Sequence, residues 1–331
     1  MKCNVFRVAR SVISMLILGM LLGPATAVAR TRWGANYFPN VPLLTQDGKE
    51  VHFYDDLLKG KTVAINLIYT HCVDTCPLET ARLAQVQKML GDRVGKDIFF
   101  YSISIDPEHD TPSELKAYAA KFHAGPGWLF LTGKKSDLEL VYHKLGLYAD
   151  PSLNRDGHTV DLMIGNEPTG QWMRNNATDN PRFLAMMIGD FLTGWKNSGA
   201  TTQRSYAQAP DIHLTHKGQY LFATRCAACH TIGHGDGIGP DLLGVTETRD
   251  RKWLFRFIQK PEELLSSHDP QATALFNKYK QVQMPNVRLG PEDVDVLISY
   301  IAAQNKASVG QATAQQHEGD GSGMRMEDMH H

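Results

Sequence analysis

The stretch Tyr69-Thr70-His71-Cys72-Val73-Asp74-Thr75-Cys76-Pro77 decides the fold of the first half of the chain. The apolar, β-branched run at 62–69 leads into it and predicts a buried strand, and the pattern at 78–90 predicts a helix after it. Two cysteines, Cys72 and Cys76, are therefore expected on a strand-to-helix turn, where α/β folds place ligands. Cys76 is expected at the helix N-terminus, where the helix dipole favours a thiolate.

The spacing Cys-x-x-x-Cys between Cys72 and Cys76 is one residue longer than that of the redox dithiol Cys-x-x-Cys. A wider bite suits two sulfurs that close on a metal as well as on each other. Thiolates are soft ligands that select Cu(I) or zinc. A plain disulfide in an exported protein is the alternative, and the spacing alone leaves it open.

The length and charge of the chain limit its class. It has 331 residues, enough for two domains, and five cysteines. The formal net charge of −1 gives no indication of a nucleic-acid partner, and we predict none.

Residues 1–29 resemble an export signal. An apolar segment at 12–22 lies between a basic start and a small-residue cleavage site, formed respectively by Lys2, Arg7 and Arg10 and by Ala27-Val28-Ala29. Cleavage would remove Cys3. We expect a periplasmic protein, and an uncleaved anchor in the inner membrane facing the periplasm stays open as the alternative.

Residues 30–195 predict an α/β domain with helices on both faces of a sheet. After the first buried strand the chain alternates strands and helices and ends in paired strands and a last helix. The further predicted strands lie at 98–105, 128–132, 159–164 and 170–174, and the helices start at the capping boxes Thr111–Glu114 and Ser136–Glu139 and at Asn180. This order is thioredoxin-like.

His158 precedes the fourth predicted strand, whose end is expected close to the cysteines in such a sheet. A neutral imidazole there would complete a set of two sulfurs and one nitrogen for copper. Asp106 is an outer-shell acceptor or, as we favour, a turn former before Pro107. His71 is not counted among the copper ligands, because the side chains of adjacent residues of an extended chain point apart.

Three motifs in this order, at 69–77, at 104–112 and at His158, resemble those of the Sco/SenC family over about residues 33–195. The resemblance implies a thioredoxin fold, copper ligands at Cys72, Cys76 and His158, and a role in building the dinuclear copper site of cytochrome c oxidase. The chain departs from the family pattern at two positions. Val73 stands where the family usually has proline, and Gly157 stands where it often has aspartate.

Residues 196–212 are rich in small and polar side chains and predict a flexible linker. In the helical stretch at 213–306, Cys226-Ala227-Ala228-Cys229-His230 predicts covalent haem c, with two thioether bonds and histidine on the iron. A zinc site would need more donors, and His234 is the only nearby candidate.

The sixth iron ligand is expected from Met284, which precedes Pro285 in a predicted loop; His268 is the competing candidate. The helix that follows would bring Tyr300 near Gly218. Residues 213–304 resemble a class I c-type cytochrome in these features. Methionine–histidine ligation raises the haem potential, which suits an electron carrier.

The tail at 307–331 predicts disorder. Its methionines and histidines suggest a loose copper-capturing segment, and an ordinary polar tail is the alternative. The residues concerned are His317, Met324, Met326, Met329, His330 and His331.

Three functions are compatible with these motifs. The first is a copper metallochaperone with a tethered c-type haem that moves one electron. Its partners would be the copper subunit of cytochrome c oxidase or another exported copper protein, and a redox partner for the haem. The second is an enzyme, a thiol–disulfide oxidoreductase with Cys72 and Cys76 as its redox-active pair. The third is a simple electron carrier whose first domain serves as a docking module.

Overall fold

The structure, a computed structural model, describes residues 33–73, 75–147, 160–194 and 216–319, with side chains as far as residue 305. The export segment, the linker and the end of the tail lie outside these residues. Among the described helices, none combines the length and apolarity that a membrane span requires.

Strands in the described N-terminal part form one seven-stranded sheet of order β2-β1-β5-β4-β3-β6-β7. The central strands β3, β4 and β5 run parallel, and β6 pairs antiparallel with β3. The bounds are β1 Pro42–Thr45, β2 Glu50–His52, β3 Thr62–Ile68, β4 Ile98–Ser104, β5 Trp128–Thr132, β6 Asp161–Asn166 and β7 Gln171–Asn176. The predicted α/β class and the predicted succession of strands and helices along the chain are confirmed.

Helices connect the strands on both faces of the sheet. They are α1 Cys76–Leu90, α2 Pro112–Lys121, α3 Lys135–Leu145, α4 Pro181–Met186 and α5 Leu192–Gly194. One buried cluster contains side chains of α1, α2 and α4, and another contains side chains of α3. β3 is buried along its whole length because both of its faces are covered.

The two predicted capping boxes had different outcomes. Thr111 caps α2 as expected, since its side chain accepts a hydrogen bond from the backbone N–H of Glu114. The prediction at Ser136 is wrong, because α3 begins at Lys135 and Lys134 precedes it without a side-chain cap. The helix starts two residues earlier than the local pattern indicates, and Ser136 lies inside it.

The C-terminal part is helical, as predicted. Its described helices are α6 Lys217–Leu221, α7 Val245–Thr248, α8 Arg251–Gln259, α9 Pro261–Ser266, α10 Pro270–Lys278 and α11 Pro291–Gly319. A Cβ atom at Gly218 would lie 2.4 Å from Cβ of Tyr300, so the predicted proximity of α6 and α11 is confirmed. Only glycine permits this close crossing of the two helices.

The last helix extends into the predicted tail. α11 continues to Gly319 and so includes residues 307–319 of the segment predicted as the tail. Alanine and glutamine are frequent at 307–319, and both favour helix. Residues 320–331, which hold most of the methionines and histidines of the tail, lie outside the described residues.

Candidate functional sites

The stretch Tyr69–Pro77, here called the cysteine turn, places two thiols next to each other between β3 and α1. Cys72 is 5% exposed and Cys76 is fully buried. The backbone N–H of Cys76 donates to the sulfur of Cys72 at 3.4 Å, and the N–H of Cys72 donates to the carbonyl of Tyr69 at 3.1 Å. Both sulfurs are in the reduced thiol form. The predicted strand-to-helix position of the pair is confirmed.

A buried carboxylate that the sequence analysis did not single out holds this turn. Asp110 is fully buried and accepts hydrogen bonds from the backbone N–H of Thr70 at 3.0 Å and from its hydroxyl at 2.6 Å. The hydroxyl of Ser104, at the end of β4, also donates to it. Asp110 therefore ties the residue two positions before Cys72 to the neighbouring strand. The second aspartate of the motif at 104–112 was the available signal for this role.

The acidity of Cys76 differs from the expectation for a helix N-terminus. Cys76 is the first residue of α1, as predicted. Burial nevertheless raises its pKa well above the usual range, and a hydrogen bond to Cys72 and the charges of Cys72 and Glu79 raise it further. At Cys76 desolvation thus outweighs the helix dipole, so burial favours the protonated thiol.

The other residues around the turn have mixed outcomes. His158, the predicted third copper ligand, lies outside the described residues. Asp106 forms a turn, because its carbonyl accepts from the N–H groups of His109 and Asp110 and its carboxylate contacts His109 at 2.9 Å. This agrees with the structural role that we favoured. His71 is exposed, and its ring centroid lies 6.0 Å from that of His109.

A cavity in the C-terminal part brings together the four residues that the sequence predicted for haem. Two adjoining spaces of about 310 and 80 Å³ share Cys229, His230 and Met284 in their walls, and Cys226 lines the larger one. We call them the C-terminal cavity. Most of its other wall residues are apolar, among them Leu254, Phe257, Leu297 and Ile298.

The imidazole of His230 has one ring nitrogen available to bind a metal. Its Nδ1 lies 2.9 Å from the carbonyl oxygen of Pro240, so Nδ1 carries the proton and Nε2 stays available. A Cβ atom at Gly239 would lie 2.6 Å from Cε1 of the ring, so this packing requires glycine. Burial lowers the pKa of His230 and keeps the ring in the neutral form that binds metal.

The carboxylate of Asp241 accepts most of the side-chain hydrogen bonds that hold the loop after His230. Asp241 accepts hydrogen bonds from the hydroxyl of Thr231 and from the backbone N–H groups of Gly233, His234, Gly235 and Leu243. Partial burial raises the pKa of Asp241, but these hydrogen bonds outweigh it and hold the pKa well below its usual range. Pro240, which positions His230, is the neighbour of Asp241 in the chain.

The competing donors do not lie in the cavity wall. His268 lies at the end of α9 with a positive φ of 58°, and it does not line the C-terminal cavity. His234 is exposed in the loop. Two thiols that can form thioethers, a neutral histidine and a methionine around an apolar space fit a c-type haem.

The fold and the two sites define a thioredoxin-like protein with a buried cysteine pair, joined to a helical domain with a Cys-x-x-Cys-His site. The family model SCO1/SenC matches residues 34–165, and the model Cytochrome c matches residues 215–305. An SCO2-like protein of Rickettsia conorii is 33% identical over 146 residues, which are 42% of this chain and 68% of that protein. The chain belongs to the SCO1/SenC family and carries an additional cytochrome c domain.

One further relative and one solved structure are similar to parts of this chain. The SCO1 protein homolog of Bacillus subtilis is 38% identical over 96 residues, which are 28% of this chain and 48% of that protein. The solved structure of Bradyrhizobium japonicum ScoI with copper bound is 29% identical, with a TM-score of 0.39, over 46% of this chain and 96% of that one. The chain thus spans about half the length of the Bacillus relative.

Proposed function

We propose that this protein is an exported copper metallochaperone that supplies the copper site of cytochrome c oxidase and carries a c-type haem for one-electron transfer. The observation that carries the proposal is the buried pair Cys72 and Cys76 on the turn that Asp110 anchors. Two adjacent soft donors in a protected site match Cu(I). Membership of the SCO1/SenC family supports the same assignment.

In this proposal Cys72 and Cys76 bind copper through their sulfurs, and His158 supplies the third donor. Asp110 keeps the cysteine turn in place through Thr70, so that copper binding does not have to order the backbone. The deep burial of Cys76 shields bound Cu(I) from solvent. Binding displaces the thiol protons, so affinity rises with pH.

In the second domain, Cys226 and Cys229 hold the haem covalently, and His230 and Met284 bind its iron. Such a haem, when bound, supplies reversible one-electron chemistry. Pro240 orients His230, and the apolar wall excludes water from the iron. Export to the periplasm is part of the proposal, and the resemblance of residues 1–29 to an export signal supports it.

The test is a competitive Cu(I) titration of the exported protein against a chromophoric chelator. Cys72→Ser should abolish tight binding, and His158→Ala should weaken it by about tenfold or more. His71→Ala is the matched control, because this exposed histidine adjoins Cys72 and should leave the affinity unchanged. Unchanged affinity in His158→Ala would remove the third ligand.

Thiol–disulfide exchange is the competing function, because the close approach of Cys76 N–H to the Cys72 sulfur also suits a disulfide. Against it, attack on a partner requires an accessible thiolate, whereas Cys76 is fully buried with a raised pKa. Two results together would favour the exchange function. His158→Ala would reduce an oxidised partner peptide at the wild-type rate, and its affinity for copper would be unchanged.

A further inference from the structure

Helix α1 contacts the cytochrome domain through two polar side chains. The guanidinium of Arg82 donates to the carbonyl oxygen of Thr224 at 2.9 Å, and Gln85 Nε2 donates to that of Ala227 at 2.7 Å. Arg82 also donates to Gln85 Oε1 at 3.0 Å, which fixes the two side chains relative to each other. We call Arg82 and Gln85 the latch.

The latch holds the segment that carries the thiols of the C-terminal cavity. Thr224 and Ala227 flank Cys226 in sequence. The next residue, Ala228, is buried in the same apolar cluster as α1, and Cys229 packs against that cluster. The contact between the domains therefore includes the attachment segment itself.

The same helix forms part of both sites. Cys76 is its first residue, and the following two residues, Pro77 and Leu78, line the C-terminal cavity. Pro77 in the cavity wall is thus the direct chain neighbour of Cys76 in the cysteine turn.

Arg82 places a positive charge at this junction. It is 2% exposed, and no carboxylate among the described residues lies within ion-pair distance of it. The Nε–H of Arg82 has no hydrogen-bond partner among the residues that the structure describes. Its guanidinium lies against the segment that carries Cys226, because it donates to the carbonyl oxygen of Thr224. A buried cation beside the attachment point disfavours the more positive, oxidised state of a group held there.

We propose that the latch docks the cytochrome domain on α1, so that the C-terminal cavity and the cysteine turn form one redox unit and not two independently moving domains. Arg82 is the positioning residue of this unit and sets the potential of the attached haem. The inference rests on the proposed function. Reduction of Cu(II) to Cu(I) at the cysteine pair takes up one electron, and oxidation of ferrous to ferric haem iron releases one, so the exchange balances without a further reactant.

The first test measures whether the domains tumble together. Backbone ¹⁵N relaxation of the reduced, haem-loaded full chain should give one rotational correlation time for residues 75–147 and 217–305. Arg82→Met with Gln85→Ala should give two shorter times, one for each domain. Lys88→Met is the matched control, since it removes an exposed positive charge from the same helix and should keep the single time. Separate times in the wild type would overturn the inference.

The second test measures the haem midpoint potential in the same chain. Arg82→Met should lower the potential, and Arg82→Lys should restore most of it because it keeps the charge. Cu(I) loading of the wild type should shift the potential, and the shift should be lost in Gln85→Ala, a milder variant that keeps Arg82. Equal potentials in Arg82→Met and wild type, or no response to Cu(I) in a protein that binds it, would overturn the inference.

Failure of the proposed function and failure of the inference give different experimental results. Failure of the proposed function appears as loss of Cu(I) binding or of haem attachment in the wild type. Failure of the inference appears as independent domains, or as a potential indifferent to copper, in a wild type that binds both.

Discussion

The two cysteine pairs of this protein are built in opposite ways. Cys72 and Cys76 are buried on a turn that protein contacts hold in place, among them the hydrogen bond from the N–H of Thr70 to Asp110. Cys226 and Cys229 border a space of about 310 Å³ whose walls are mostly apolar. The first pair lies within a packed core, whereas the second pair lines an apolar cavity.

This difference teaches where the stability of each domain comes from. The sheet domain has two extensive buried clusters, and the buried cluster of the cytochrome domain is much smaller. A protein interior is close-packed, so the walls of an apolar cavity of this size gain contacts when a cofactor fills it. The cytochrome domain should therefore depend on its cofactor for folding, and the sheet domain should not depend on copper.

The largest effect is expected from the double variant Cys226→Ser with Cys229→Ser. At about 24 cal/mol per Å³, an unfilled space of about 310 Å³ costs up to about 7 kcal/mol, comparable to the stability of a whole domain. Haem absorbance and the helical circular dichroism of this domain should be lost, while the unfolding transition of the sheet domain persists. Undiminished helical signal without haem would break the comparison.

A smaller loss of stability is expected when Asp110 is replaced by alanine. Removing it leaves the N–H of Thr70 and two hydroxyl groups without their partner, at a cost of about 3 kcal/mol. Denaturant unfolding should show this loss, and Cu(I) affinity should fall with it. Asp106→Ala is the matched control in the same motif. Among the residues that the structure describes, its carboxylate contacts only the exposed His109, so the variant should cost less than about 1 kcal/mol.

The ligand of the haem iron is tested by Met284→Ala, whose main effect is on the cofactor. The variant should lose the sulfur-to-iron charge-transfer band at the red end of the visible spectrum, and its haem potential should fall. His268→Ala, which alters the competing donor outside the cavity, should keep both properties. Retention of the band in Met284→Ala would transfer the assignment to another residue.

The smallest effect concerns pH and the loop after His230. Because hydrogen bonds hold the pKa of Asp241 below its unfolded value near 4, its ionised form stabilises the cytochrome domain above that pH, and the contribution is lost as pH falls through the folded pKa. Asp241→Asn should therefore lower the melting temperature at pH 7, and the difference from wild type should shrink in acid. A constant difference between pH 7 and pH 3 would contradict this account.

Much of the fold could be predicted from local patterns. The apolar run at 62–69, the cap at Thr111 and the close approach of Gly218 to Tyr300 depend on neighbouring residues or on a regular period, and the structure confirms them. The predicted cap at Ser136 is wrong because the helix begins before this residue, at Lys135, so that Ser136 lies inside the first turn.

The candidate sites divide in the same manner. The sequence by itself determined the cysteine spacings, the histidine after Cys229 and the methionine before Pro285, because their chemistry is carried by residue type and spacing. Only the tertiary structure decided the anchoring by Asp110, the raised pKa of Cys76 and the latch on α1. These depend on residues tens to more than a hundred positions apart, and on burial, which no local pattern encodes.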